Sequence, residues 1–275
     1  MISVLILTLN EEANLGQCLD SVQWSDDIVV LDSFSADRTV EIAKSRGTSV
    51  VQRKFDNWAS HQNWANENIP FKNPWVFYLD ADERMTNELR DEIQAIAANA
   101  QESRVAFYCG RRNYFMGRWI KRAYPPSLLM RFFLPSKVRF ERLVNPTPVI
   151  DGPHGYLKEM FVHYNFSKGF SEWFDKHNRY SQLEALEGVK VLASQNPGVR
   201  DLLSGDAARR RKALKSLSFR LPCRPQLRFF HLYVLSLGFM DGAPGYHYCR
   251  LITIYEYMIS LKMKEIARRN SRLSI

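Results

Sequence analysis

Cysteine is scarce and dispersed. Cys18, Cys109, Cys223 and Cys249 form no CxxC pair. That spacing argues against a zinc site or a thioredoxin-type motif and fits free thiols in a reducing compartment. Glycine-rich phosphate loops are missing too: no GxGxxG follows the first apolar run, and no GxxxxGK[ST] or GxSxG occurs. These absences speak against a dinucleotide oxidoreductase, a P-loop NTPase and a hydrolase nucleophile elbow. No stretch of about 18 uninterrupted apolar residues exists, so an ordinary spanning helix is not expected. No secretory leader is expected either, because Met1 runs at once into the strand-like Ile2–Leu9.

What is present is a chain of 275 residues, 45% apolar, 13% aromatic and 24% charged. That is enough to bury a core and unlike a disordered or collagen-like chain. The net charge of +9 hides a division. Residues 1–100 carry 8 Lys or Arg against 16 Asp or Glu, and residues 101–275 carry 30 against 13. An acidic half suits a cation site, and a basic half suits phosphates, lipid headgroups or nucleic acid.

The first hundred residues alternate between apolar runs and helical patterns. Strands are expected at Ile2–Leu9, Asp27–Leu31, Ser49–Val51, Trp75–Leu79 and Arg104–Cys109. Between them, Asn10 is expected to cap a helix to about Val22. Asp37 is expected to cap one from Arg38 to Arg46 that Gly47 stops, and Thr86 one to about Asn99. Trp58–Asn68 reads as helical. This βα rhythm predicts an α/β fold with a mostly parallel sheet and helices on both faces. Residues 111–170 read as short strands and loops. Glu172–Ala193 reads as a helix broken at Asn196–Gly198, and the last eighty residues read as helical, basic and aromatic.

Ligands of open α/β sheets sit at the carboxyl ends of the strands. There the sequence places Thr8, Asn10 and Glu11 after strand one, Asp32, Ser33, Ser35 and Asp37 after strand two, and Asp80, Asp82 and Glu83 after strand four. Converging carboxylates need a cation or hydrogen-bond donors. Asp80-Ala-Asp82 puts two of them on one side of the chain, as Mg²⁺ or Mn²⁺ with a phosphate ligand requires. The competing reading is that one of them only caps the next helix.

The runs Ser3–Leu15, Cys18–Trp24 and Asp27–Thr39, with Asp80-Ala-Asp82-Glu83, resemble family 2 glycosyltransferases of the GT-A fold. Among them the resemblance is greatest to the lipopolysaccharide-core and exopolysaccharide glucosyltransferase branch, and it covers roughly residues 2–190. It implies that Thr8, Asn10 and Glu11 line a nucleotide pocket, that Asp32 accepts hydrogen bonds from the base, and that Asp80 meets ribose or metal. It further implies that Asp82 holds Mg²⁺ or Mn²⁺ on the diphosphate. Asn63, in His61-Gln-Asn63-Trp-Ala65, matches a Q-K-N-x-A element, with His61 and Gln62 departing from it. The implied reaction is an inverting displacement from a UDP-hexose, with a carboxylate base.

Related enzymes often carry a His-Glu pair where this chain has Asn145-Pro146. Neither residue can act as a base, so Glu141 is the nearest candidate, ahead of Asp151 and Glu159. A salt bridge from Glu141 to Arg139 or Arg142 is the alternative. His163, His177, Lys176 and Arg179 are candidate diphosphate or acceptor contacts, weighed against ordinary structural roles. The missing pair also motivates a second reading, an inactive nucleotide-sugar-binding or scaffold protein. A nucleotidyltransferase is a third, although Thr8–Leu15 lacks the Lys such an enzyme normally wants.

The division expected is a catalytic domain over 1–190, with a nucleotide half 1–110 and an acceptor half 111–190, and a helical extension over 191–275. Ala207–Arg228 holds Arg209, Arg210, Arg211, Lys212, Lys215, Arg220, Arg224 and Arg228 without an acid. The aromatic runs Leu227–Met240 and Tyr246–Met263 follow. They suit a hairpin in a membrane interface, with basic residues on headgroups, or a helical pair packed on protein. Nucleic acid is not expected as a partner. The expected partners are a nucleotide-sugar and a lipid-linked acceptor at the cytoplasmic face of a bacterial inner membrane, bound peripherally or monotopically. The oligomeric state stays open.

Overall fold

The computed structural model describes residues 1–141, 146–193, 199–221 and 223–271. Residues Arg142, Asn145 and Asn196–Gly198, named above, lie outside them. The chain divides into two compact units. One comprises residues 1–119 and 125–167, the other residues 120–124 and 168–275.

The first unit opens with β1 (Ile2–Thr8), α1 (Leu15–Asp20), β2 (Ile28–Asp32), α2 (Thr39–Ser45), β3 (Ser49–Gln52), α3 (Trp58–Asn68) and β4 (Trp75–Asp80). After these come β5 (Glu83–Arg84), α4 (Asn87–Ala98), β6 (Ala106–Phe115), β7 (Arg118–Trp119), β8 (Leu128–Phe133), β9 (Val138–Glu141), β10 (Thr147–Ile150) and β11 (His154–His163). The main sheet runs β3-β2-β1-β4-β8-β6-β11-β5, with β7 beside β6, and β9 pairs with β10 separately.

The pairs β3-β2, β2-β1 and β1-β4 are parallel, as expected for βα units. The far half is mixed. β8 enters antiparallel between β4 and β6, and β11 lies parallel to β6. The sheet is therefore less parallel than the βα rhythm implied, because β6 reaches β4 only through an antiparallel neighbour.

Side chains alternate across the strands, so both faces need cover. Ile2, Val4 and Ile6 join Leu15, Leu19, Ala43, Leu89 and Ile93 on the α1, α2 and α4 side. Leu5 and Leu7 join Ala59, Ala65, Ile69, Val138 and Phe140 on the side of α3 and β9. Thr86 caps α4 by accepting from the Leu89 amide, and Gly47 closes α2 at φ 70°.

One expected helix start is corrected. α1 begins at Leu15, and Asn10 does not cap it. Asn10 sits at φ 55°, because its side chain and amide are engaged by the loop after β2.

The second unit contains α5 (Gly169–Ala193), α6 (Val199–Leu202), α7 (Ala207–Arg220), α8 (Arg224–Phe230), a wide turn over His231–Leu235 and α9 (Gly242–Asn270). Its core joins Ala185 of α5, Phe219 of α7, and Ile259 and Met263 of α9. Lys262 Nζ ties α9 to α5 by donating to Asn178 Oδ1 at 2.7 Å and Ser181 Oγ at 2.8 Å. Among the described residues, no helix is long and apolar enough to cross a membrane. All four cysteines are free.

Candidate active site

The register of the sheet brings the three acidic strand ends together. Thr8 lies opposite Asp32 across β1 and β2, and Leu7 lies opposite Asp80 across β1 and β4. Asp32 is fully buried, and its carboxylate is saturated. Thr8 Oγ1 donates at 3.0 Å, the Ser35 amide at 2.9 Å and Gln52 Nε2 at 3.1 Å, and Ser35 Oγ donates as well. Burial pushes its pKa up, but these hydrogen bonds outweigh that and hold it below the usual carboxylate value.

The loops after β1 and β2 interlock. The Asn10 amide donates to Ser35 Oγ at 2.8 Å, and Asn10 Oδ1 accepts from the Ala36 amide at 2.8 Å. Glu11 donates its amide to Thr39 Oγ1, and Glu12 its amide to Asp37 Oδ2. Leu9 and Phe34 stand exposed on these loops, Phe34 at φ 62°. Two loops far apart in sequence thus form one rigid rim, with exposed apolar side chains beside polar groups. That is the mixture a nucleoside pocket uses.

At the end of β4 the acids divide into two sets. Asp80 Oδ2 and the fully buried Glu83 Oε1 both accept from Arg131 Nη2 of β8, at 2.9 and 2.7 Å. Glu83 Oε2 accepts the Asp80 amide at 2.9 Å. The guanidinium lies 4.4 Å from the centroid of the Tyr78 ring. Burial raises the Glu83 carboxyl, Arg131 opposes that rise, and the guanidinium stays charged between the two acids. Burial also raises the Tyr78 phenol, which therefore keeps its proton and donates to Asp80 Oδ1 at 3.0 Å.

Asp82 belongs to the other set. Its Oδ2 lies 3.3 Å from His163 Nε2 at the end of β11, and His163 Nδ1 lies 3.0 Å from Asn113 Oδ1 of β6. The imidazole is thus held between Asn113 on its Nδ1 side and Asp82 on its Nε2 side. Asp82 Oδ2 and His163 Nε2, 3.3 Å apart, match neighbouring positions around an ion with ligand distances of roughly 2.1–2.3 Å. Among the described residues, no group of three or more His, Cys, Asp or Glu forms a metal cage.

Asn63 clamps β9. Its Oδ1 accepts the Phe140 amide at 2.7 Å, and its Nδ2 donates to the Phe140 carbonyl at 2.9 Å. Glu141 follows, exposed and paired with Arg139 at 2.5 Å. Asp151 pairs with Lys137 at 2.8 Å, and Glu159 lies 3.7 Å from Arg112. His61 is buried, 2.8 Å from Arg53 and 3.4 Å from Ser33 Oγ. Gln62 Nε2 reaches the Tyr78 hydroxyl at 3.3 Å. Lys176 and Arg179 are exposed on α5, in the second unit. His177 stacks on Trp173 at 3.8 Å and bonds its carbonyl, which is a packing role.

Arg131, Asn113 and Tyr78 were not singled out from the sequence. Arg131 had a signal, a lone cation inside the apolar strand Leu128-Leu-Met-Arg-Phe-Phe133, which demands a buried partner. Asn113, in Arg111-Arg112-Asn113, had none.

Residues 3–164 match the sequence profile of Glycosyl transferase family 2. An uncharacterized glycosyltransferase of Rickettsia typhi is 28% identical over 201 residues, covering 69% of this chain and 68% of that one. Four further Rickettsia relatives match over 108 residues each, so the alignment spans only 36% to 38% of their length. The lipopolysaccharide core biosynthesis glycosyltransferase LpsC of Rhizobium meliloti is 25% identical over 274 residues, 95% of this chain and 91% of that one. A solved mannosyltransferase of Pyrobaculum calidifontis aligns over 95% of this chain and 86% of its own, at 14% identity and a TM-score of 0.48. With the profile spanning more than half its length, and with the acidic strand ends in place, this chain belongs to the family 2 glycosyltransferases.

Proposed function

We infer that the protein transfers a hexose from a nucleotide-sugar, UDP-linked in our reading, to a lipid-linked glycan in the biosynthesis of lipopolysaccharide or a related surface polysaccharide. The observation that carries this is the split of the acids after β4 within a family 2 chain. Arg131 holds Asp80 and Glu83 together, and Asp82 lies against His163 at the end of the same sheet. The near full-length match to a lipopolysaccharide core enzyme supports the choice of pathway.

In this reading Thr8, Asn10, Glu11 and Asp32 shape the base and ribose pocket. Asp80 is held to face the ribose, and Asn63 fixes the strand that carries Glu141. Asp82 and His163 would hold the metal, with open positions for diphosphate oxygens. The imidazole nitrogen moves the preference from Mg²⁺ towards Mn²⁺. A metal held there would supply positive charge against the leaving diphosphate. The bond between the anomeric carbon and the β-phosphate oxygen breaks, and its electron pair leaves on that oxygen. The acceptor oxygen bonds the anomeric carbon from the opposite face, and its proton passes to the Glu141 carboxylate. Lys176 and Arg179 remain candidate contacts for an anionic acceptor.

The work site in this proposal is the cytoplasmic face of a bacterial inner membrane, reached peripherally or monotopically. Thermal-shift measurement against nucleotide-sugars with and without Mn²⁺ tests the donor. Stabilisation that needs both a UDP-sugar and Mn²⁺ is expected. Stabilisation by no nucleotide-sugar at all would sink the reading.

A further inference from the structure

The two aromatic runs of the tail have different fates. In α9, Leu251, Ile259 and Met263 are buried, the last two in the core shared with Ala185 and Phe219. Gly188 of α5 meets Met263 so closely that a Cβ there would stand 2.7 Å from its sulfur. That side of α9 is therefore used inside the unit, while Ile254, Tyr257 and Leu261 elsewhere on the helix are exposed.

The other run turns its apolar side chains out. Phe230, Val234, Leu235, Leu237, Phe239 and Met240 are between 38% and 63% exposed within eleven residues. This elbow is built, not loose. Leu237 sits at φ 59°, and a Cβ on the next residue, Gly238, would stand 2.6 Å from the Leu232 carbonyl oxygen. A Cβ on Gly245 would collide with the Gly238 carbonyl, so two glycines let the chain fold back tightly. Asp241 then pins the base of the elbow. Its buried carboxylate accepts the amides of Lys121, Arg122 and Ala123 at 3.0, 2.8 and 2.8 Å. Leu232 anchors the inner side, while Tyr233 stacks on Phe229 at 5.1 Å and meets Tyr246 edge-on at 5.7 Å.

Charge identifies the occupant. From Ala207 to Tyr255 the sequence holds one acid, Asp241, and it is buried. Arg228, His231, His247 and Arg250 are exposed around the elbow. A second copy would bring the same positive charge against this face, whereas an anionic headgroup layer complements it. Apolar tips, the Tyr233–Tyr246 pair behind them and the flanking Arg228 and Arg250 form the sequence of layers found at a bilayer surface. Eleven residues are far too few to span it.

We propose that residues 230–240 form a wedge that seats its exposed apolar side chains at the headgroup–acyl boundary of an anionic lipid leaflet. This rests on the membrane-facing part of the function above and narrows it from the whole tail to one elbow.

The test is co-sedimentation of the full chain with vesicles of phosphatidylcholine containing phosphatidylglycerol. Leu235→Glu/Met240→Glu, both highly exposed and away from the core, should bind at least tenfold more weakly. Met116→Glu, equally exposed in the first unit, should bind as the unchanged protein does. Equal binding by the elbow variant and the unchanged protein would overturn the wedge and leave membrane association standing. An unchanged protein that ignores anionic vesicles would overturn both. A dimer in solution that the elbow variant dissociates would overturn the wedge, because the face would then be a subunit contact.

Discussion

Arg131 Nη2 stands 2.9 Å from Asp80 Oδ2, reaching it from a strand that runs antiparallel to the one ending in Asp80. The same nitrogen holds Glu83 at 2.7 Å. One buried cation thus holds two of the three acids in Asp80-Ala-Asp82-Glu83 against the end of the sheet. Removing the cation alone would strand Glu83 in the core. Arg131→Met should therefore destabilise the first unit by about 3–5 kcal/mol. Arg131→Met/Glu83→Met should regain most of that loss, because a buried pair is costly mainly when broken. Urea unfolding followed by tryptophan fluorescence reads both. Equal losses in the single and double variants would show that packing, not charge, governs the position.

The Asp82–His163 pair predicts a separation of binding from folding. Asp82→Ala and His163→Ala should each abolish Mn²⁺-dependent UDP binding, with far-UV circular dichroism unchanged. Asn113→Ala should weaken Mn²⁺ affinity by roughly 10–100-fold, since it orients the ring rather than touching the ion. Calorimetric titration of Mn²⁺ in the presence of UDP distinguishes these. Unaltered Mn²⁺ dependence in Asp82→Ala would remove the metal assignment.

Much of this site was legible in the chain. Apolar runs ending in Thr8, Asp32 and Asp80 mark strand ends because a buried strand cannot carry unpaired acids until it leaves the sheet. The hydrogen bonds that tie Asn10 to Ser35 and Ala36 were not legible. They depend on two loops meeting across 25 residues, and they turned an expected helix cap into a left-handed residue. Arg131 lay in a region read only as short strands and loops, where no period identified its neighbours. The tail was read as a choice between membrane and core. The structure buries Leu251, Ile259 and Met263 and leaves Leu235, Phe239 and Met240 exposed, since burial depends on which turn faces α5, and composition does not encode that.

His61 predicts a pH dependence. Burial and the neighbouring Arg53 charge push its pKa down to about 4, against the partial opposition of Asp56. Between pH 6.5 and 4 the unfolded chain binds a proton that the folded chain refuses. Stability from this group is thus complete above pH 6.5 and is lost as pH falls, by at most about 1.4 kcal/mol per pH unit. His177 is shifted the same way by burial in the second unit. The fall in melting temperature between pH 7 and pH 5 should shrink in His61→Gln without vanishing. An identical fall in the variant would mean that His61 is protonated in the folded state.

The proposed base carries a kinetic prediction. Glu141→Gln should lower kcat by about 10²–10⁴-fold while leaving donor affinity nearly unchanged. Its salt bridge with Arg139 is exposed on both sides, so stability should move by less than about 1 kcal/mol. A change in stability with turnover preserved would assign Glu141 to the salt bridge, and Asp151 and Glu159 would become the next carboxylates to test.

Asp241 offers a prediction independent of catalysis. Its carboxylate is the hydrogen-bond acceptor for three consecutive amides, Lys121, Arg122 and Ala123, and it is buried. An amide buried without a partner costs roughly 1–3 kcal/mol, and three that share one acceptor will not add in full. Asp241→Ala should therefore destabilise the second unit by about 2–4 kcal/mol. Asp241→Asn should rescue only part of this, because its one oxygen can still accept while its amino group would point donors at donors. The readout that isolates the clasp is hydrogen exchange at the three amides. They should be protected in the unchanged protein, fast in Asp241→Ala and intermediate in Asp241→Asn. The helix amides around Ile259 should keep their order of protection in all three. Slow exchange at Lys121–Ala123 in the alanine variant would mean that another acceptor takes these amides and that Asp241 does not hold the elbow in place.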